Sequence, residues 1–217
     1  MSATKATLPS PHSEALQQID AAHTLDPTSH PPSSPPNELH YANRMTHYLH
    51  LLQPSPSPAL TLAIRAQHFR RWEIPRSSYP PGRLPYLKWR TEQKNQAAKS
   101  ARQICLDCGI ELHEADRVAS LIRKEGLKQN DEEAQILEDV ACLVFLDEQF
   151  EDFEKEWDGT EEKMVGILRK TWGKMSEKGR QEALKLDVGE RGRKLLGLAL
   201  SEGQGKDVEE RGDVKKD

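Results

Sequence analysis

The chain has 217 residues with a net charge of −4; 35% of its side chains are hydrophobic, 30% charged and only 6% aromatic. So little aromatic content, with few Val and Ile, counts against a large sheet, and no apolar run approaches the roughly 20 residues of a membrane span. Three cysteines cannot build a disulfide framework, and the first residues, MSATKATLPSPHS, lack a signal-peptide core, so the expectation is a soluble cytoplasmic protein, the nucleus remaining open.

In chain order, residues 1–10 are polar and aperiodic and read as a tail. Leu16, Ile19 and Ala22 fall at helical spacing after Ser13, which predicts a short helix to His23. DPTSHPPSSPPN can be neither helix nor central strand. Asn37 then caps a helix over 38–52, and QPSPSP breaks the chain again. The next helix should run from Pro58 to Trp72, followed by a proline-rich loop over 74–84. YLKWRTEQKNQAAKSARQICLDCG reads as a long polar helix stopped at Gly109, and 112–125 as another stopped at Gly126. The most hydrophobic helix is expected over 131–156, capped by Asn130 or Asp131. Helices over 160–174, 176–185 and 188–200 follow, and 202–217 reads as a second tail. The predicted architecture is all-α, a single domain of eight or nine helices over 11–201.

Charge is unevenly placed along this scaffold. Between Arg65 and Arg102 there are ten Lys and Arg against two Glu, and between Asp131 and Glu162 fourteen Asp and Glu against one Lys. Either the segments pair with each other or the basic one faces an anionic ligand. Arg65, Arg70, Arg71, Arg76 and Arg90 are interleaved with Trp72, Tyr79, Tyr86 and Trp89, a mixture suited to phosphate contact and to stacking on a base. Lys88 and Lys94 read as solvated.

Two helices carry polar residues where the pattern asks for apolar ones. Glu138 and Asp139 interrupt the run Ile136–Leu146, and His68 lies among Leu60, Leu62, Ala63, Ile64 and Phe69. A buried carboxylate is costly unless paired, hydrogen-bonded or metal-bound, so His68 facing Asp139 or Glu138 across a helix interface is one economical solution. That pair is either a structural lock or two ligands of a metal or phosphate site. CLDC at 105–108 stands alone, without a second pair, and reads as packing cysteines. KMSEKGR at 174–180 departs from the synthetase-type signature loop it faintly resembles, and Ser176 reads better as a helix cap. The histidines at 12, 23 and 30 receive no role.

AIRAQHFRRWEIPR, YLKWRTE, LIRKEGLK and LEDVACLVFLDEQFEDF together resemble the uncharacterised family designated domain of unknown function 4202, over roughly 13–200. The chain is more distantly similar to the all-helical HD superfamily of metal-dependent phosphohydrolases. That resemblance implies a divalent metal (Mn, Mg or Zn) held by His68 and Asp139, with Glu138 as an acidic helper in catalysis. Only Asp139 keeps the residue type of the HD pattern. Tyr41 and Gln67 stand where ligand histidines would, and His68 stands for an aspartate. The leading expectation is therefore a protein that binds a phosphorylated small molecule or nucleotide, with a degenerate phosphohydrolase site. The alternatives are a non-catalytic scaffold in which His68 and Asp139 form a structural pair, or an RNA-associated factor.

Overall fold

The computed structural model describes residues 10–28, 35–150, 154 and 159–201, and among these there are helices and turns but no strand. The helices are α1 (Ser10–His23), α2 (Asn37–Leu52), α3 (Pro58–Arg65), α4 (Arg83–Asp107), α5 (Leu112–Arg123), α6 (Glu132–Val144), α7 (Glu161–Lys174), α8 (Glu177–Ala183) and α9 (Gly189–Ser201). Contacts divide the chain into two compact units, 1–140 and 141–217, with the division inside α6. The expected domain over 11–201 spans both. No helix among the described residues is long and apolar enough to cross a membrane.

In the first unit α3 lies at the centre, against α1, α2 and α5, and α4 packs along α5 and α1. Ser57 caps α3 by accepting from the Leu60 N–H, and Pro58 sits where its missing N–H costs nothing. Leu60, Leu62, Ala63 and Ile64 are all buried, each of the larger three stabilising the fold by roughly 1.5–3 kcal/mol. α1 buries Ile19 as expected, but with His12, Ala15 and His23 in place of Leu16 and Ala22, which are half-buried. The stripe is rotated so that two histidines face inward.

The largest departure from the expected elements is the end of α3. Helical spacing carries on to Trp72, yet the helix stops at Arg65 and gives way to turns, with a short 3-10 segment over Arg71–Glu73. Two buried side chains from elsewhere cause the break. The Arg65 carbonyl, which a continuing helix would offer to the Phe69 N–H, instead receives the Nε2 of His23 at 2.9 Å. The Arg70 N–H donates to the carboxylate of Glu38, and the Arg71 N–H is shared between that carboxylate and the His68 carbonyl, the latter at 3.2 Å. Arg70 is left in the left-handed region with φ +54°.

α4 starts at Arg83, after Gly82 at φ +114°, so Pro85 falls among the first-turn positions that have no intrahelical acceptor. α5 ends at Arg123 instead of running to the glycine, because Lys124 itself takes the left-handed conformation at φ +59°. Gly126 follows at φ +93°, where an added Cβ would meet the Asp131 Cβ at 2.8 Å. Of the two proposed caps of α6, Asp131 is the one used: its Oδ1 accepts from the Glu133 and Ala134 N–H groups, both at 3.1 Å. The regular part of α6 is shorter than expected and passes into a π-turn over Phe145–Gln149. Most of the remainder of the expected helix, to 156, lies outside the described residues, as does His30.

In the second unit α9 packs on α7. Thr160 and Ser176 cap α7 and α8 as side-chain acceptors, so Ser176 has the structural role anticipated for it.

Candidate anion-binding site

Glu38 organises the site from below. It is buried on the first turn of α2, and its own N–H donates to Asp26 Oδ2 at 3.0 Å. Asp26 also receives the Thr28 N–H and hydroxyl on Oδ1, at 2.9 and 2.7 Å. The Glu38 carboxylate faces His23 Nδ1 at 3.1 Å, takes the Arg70 N–H at 2.9 Å and takes the Arg71 N–H as well. Three elements are thereby tied to one carboxylate, and the turn carrying His68 and Arg71 is fixed in place.

On that turn His68 stacks against Tyr41 of α2, ring centroids 3.7 Å apart and planes 6° from parallel. Its Nε2 accepts from Arg71 Nη1 at 3.1 Å. Burial, then the positive charges of Arg71, Arg90, Lys124 and His23, push the His68 pKa well below its ordinary value. The ring is therefore neutral and acts as an acceptor.

Arg71 is gripped on several sides. Its Nε donates to Gln93 Oε1 at 3.1 Å, and its guanidinium carbon lies 5.3 Å from the centre of the Trp89 ring. Gln93 in turn donates to the carbonyls of Arg71 and Ile74, and Trp89 Nε1 donates to Ile74 O at 2.8 Å. Burial and Arg90 lower the Arg71 pKa, but a guanidinium stays charged under such shifts. Lys94, one turn beyond Arg90, is half-buried, and burial together with Lys124 and Arg90 lowers its pKa. Lys94 is thus half-buried where the sequence suggested a solvated residue, while Arg90 is exposed.

Among the described residues, Arg71, Arg90 and Lys94 form no ion pair. Three of the carboxylates that were candidates to neutralise them are engaged elsewhere: Asp131 and Glu133 with Arg117, and Glu138 with Lys124. Arg76 donates to the carbonyls of Tyr79 and Pro80 at 2.8 and 3.0 Å and lies over the Tyr86 and Trp89 rings. Two of the nominated arginines are paired internally: Arg65 with Asp20 at 2.5 Å and Thr46 at 3.2 Å, and Arg70 with Glu73 at 2.5 Å. Trp72 is half-buried beside them.

The proposed metal pair takes a different form. His68 is bonded to Arg71, Glu138 to Lys124, and Asp139 accepts from Gln135 at 2.9 Å. No hydrogen bond joins His68 to either carboxylate among the described residues. Nor does any group of three or more His, Cys, Asp or Glu side chains among them come close enough to hold a metal ion. Among the described residues, His68, Glu138 and Asp139 therefore form no three-ligand cluster.

Sequence reasoning missed His23, Glu38, Gln93 and Lys124. The first had a readable signal, since 12, 15, 19 and 23 fall on one helical stripe with a histidine at each end. Gln93 also had one, lying between Trp89 and Ala97 on the stripe that α4 buries. Glu38 had none, because its position in the first turn reads equally well as a solvated carboxylate beside a helix N-terminus. His12 proves buried too, 2.9 Å from Glu114. Cys105 is buried, with its thiol pushed up to about 12, as suits a packing cysteine.

Comparison with curated proteins and with solved structures finds no match. The match that exists is to a family of undescribed activity, and it takes in every residue of the site: over residues 13–196 the chain belongs to the family described as Domain of unknown function (DUF4202).

Proposed function

We propose that the protein binds a phosphorylated small molecule or a nucleotide at the group formed by Arg71, Arg90 and Lys94. The observation that carries this reading is Arg71: a half-buried guanidinium held by a glutamine, a neutral histidine and an indole, with no carboxylate partner among the described residues. Removing a charge from water is costly without a counter-charge, and the planar fork of arginine suits the oxygens of a phosphate. Neutral acceptors hold the guanidinium in place without cancelling its charge, which leaves that charge for a ligand. The exposed Tyr86, its ring centroid 5.6 Å from that of the buried Trp89, supplies an aromatic face next to it.

Binding without hydrolysis is the form of this reading the residues favour, because His68 and Asp139 are engaged with Arg71 and Gln135. The test is calorimetric titration with orthophosphate, pyrophosphate and adenosine monophosphate at two salt concentrations. We expect binding that weakens with salt and falls at least about tenfold in Arg71→Met, as loss of one charged hydrogen-bonding partner requires. Absence of binding at millimolar ligand, or equal binding by the variant, would refute the proposal.

A further inference from the structure

Over its first turns α4 buries only Trp89 and Gln93, and most of the other side chains there are exposed. Leu84 is 78% exposed, Leu87 47% and Tyr86 43%, so three exposed large apolar side chains fall within four consecutive positions. At about 100° per residue, Leu84, Leu87 and Thr91 lie on the side of the helix opposite Trp89 and Gln93. Arg83 and Arg90 flank that ridge on one side and Lys88 on the other, all three exposed. No Asp or Glu occurs between Glu73 and Glu92, so the surroundings of the ridge carry one sign of charge. A single exposed leucine needs no explanation. A group of them on one face, rimmed by cations, marks a surface that meets something apolar and anionic at once.

We propose that this outward face of α4 is a peripheral docking surface for a membrane of anionic phospholipid. Leu84 and Leu87 enter the boundary between headgroups and acyl chains, and Arg83, Lys88 and Arg90 lie among the anionic headgroups. A bilayer surface accepts a protruding side chain without a matching groove, and it supplies the apolar and the anionic layer side by side. Long cationic side chains stay at headgroup level while the leucines go deeper, and tyrosine is of the type that settles at that interface. A nucleic acid would use the cations and stack on Tyr86, but it offers nothing to two outward leucines. The net charge of the whole chain is −4, yet charges beyond about 8 Å are largely screened at physiological ionic strength, so the local cations decide.

The experiment is flotation of the full chain with vesicles of phosphatidylcholine alone and of phosphatidylcholine with about 30% phosphatidylserine, beside an anisotropy titration of polyuridylate. Wild type should float with the anionic vesicles only, and less so as salt is raised. The double variant Leu84→Ser, Leu87→Ser should bind the vesicles at least about tenfold more weakly and keep the wild-type melting temperature, because both side chains are exposed. The double variant Arg83→Gln, Lys88→Gln should weaken binding by about tenfold or more. Millimolar orthophosphate should not displace the vesicles; displacement would assign the lipid phosphate to the site around Arg71 and overturn the proposal. Wild type that does not float, equal binding to neutral vesicles, or undiminished binding by the leucine variant would each overturn it. So would a lower melting temperature of the leucine variant, since those side chains would then belong to the core. Binding of polyuridylate through Arg83 and Lys88 without flotation would make the face a nucleic-acid surface instead.

Discussion

Replacing Glu38 with Ala should be among the most damaging single changes in the first unit, although it removes no apolar contact. The carboxylate is 6% exposed and accepts the N–H groups of Arg70 and Arg71 while facing His23. Hydrogen bonds to a charged acceptor contribute roughly 1.5–3 kcal/mol each, so losing the two backbone bonds costs about 3–6 kcal/mol. The loss of the His23 contact adds to this. For a chain of this length that corresponds to a fall in melting temperature of about 6–24 °C, at 2–4 °C per kcal/mol. Urea unfolding followed by far-ultraviolet circular dichroism measures it directly. Glu38→Gln keeps one acceptor oxygen and should lose about half as much. The pattern matters as much as the size, since a carboxylate that merely decorated a helix N-terminus would cost about 0.3–1 kcal/mol, and the glutamine would cost nearly as much as the alanine. A loss below about 1 kcal/mol for Glu38→Ala would refute the account of why α3 ends at Arg65.

Acid should expose the Arg117–Asp131 pair. The Asp131 carboxyl is held down to about 2, chiefly by its hydrogen bond to Arg117. Its folded value lies below the unfolded one of about 3.9, so the stability it contributes is fully present above that pH and is lost as pH falls toward 2. Asp131→Asn should flatten that part of the stability–pH curve, and an unchanged slope between pH 4 and 2 would count against the pair. Iodoacetamide at pH 8 should modify Cys108 well before Cys105, whose thiol is buried and pushed up to about 12, with Cys105 becoming reactive only on unfolding; mass mapping after timed quenching reads this. Arg70→Gly should be neutral or stabilising by up to about 1 kcal/mol, because glycine relieves a left-handed backbone while only an exposed ion pair with Glu73 is lost. Gly126→Ala should destabilise by more than about 1 kcal/mol, since φ is +93° and the new methyl would meet Asp131; denaturant midpoints decide both.

The elements that were legible in the sequence are those whose causes are local. Ser57 and Pro58 start α3, Gly109 at φ +83° follows α4, and Ser176 starts α8, each through chemistry contained within a few residues. The end of α3 was not legible, because its pattern is helical to Trp72 and the break is imposed from α1 and α2 by His23 and Glu38. The same limit applied to the site. An excess of arginine between 65 and 102 is visible as composition, but which arginines are spent depends on partners far away in sequence. Asp20 takes Arg65, while Gln93, a neutral residue, takes Arg71. A histidine among apolar residues suggested a carboxylate partner, and the anomaly was real. Its resolution came from a residue three positions later in the chain, Arg71, and from the Tyr41 ring.

These two outcomes have one origin. Had α3 continued as a regular helix through residue 72, the Arg70 and Arg71 N–H groups would have been used by carbonyls of the preceding turn, and Glu38 would have been left as a buried carboxylate with His23 alone. The break lets Glu38 collect both N–H groups, which stabilises its negative charge through dipoles, without drawing the Arg71 side chain into an ion pair. The guanidinium is then free to lie across Trp89 and to be aimed by Gln93 and His68, none of which carries a negative charge. A carboxylate in place of Gln93 would hold Arg71 more tightly and would also cancel the charge that an anion needs. Gln93→Glu therefore separates the structural and binding roles of this arginine. It should keep the fold, the new pair with Arg71 offsetting the lost amide donations to the Arg71 and Ile74 carbonyls, while reducing phosphate affinity at least about tenfold. Calorimetric titration with orthophosphate beside a urea melt measures both quantities on one preparation. Stability and affinity falling together would show that the turn had been disrupted, and unchanged affinity would show that Arg71 is not where the anion binds.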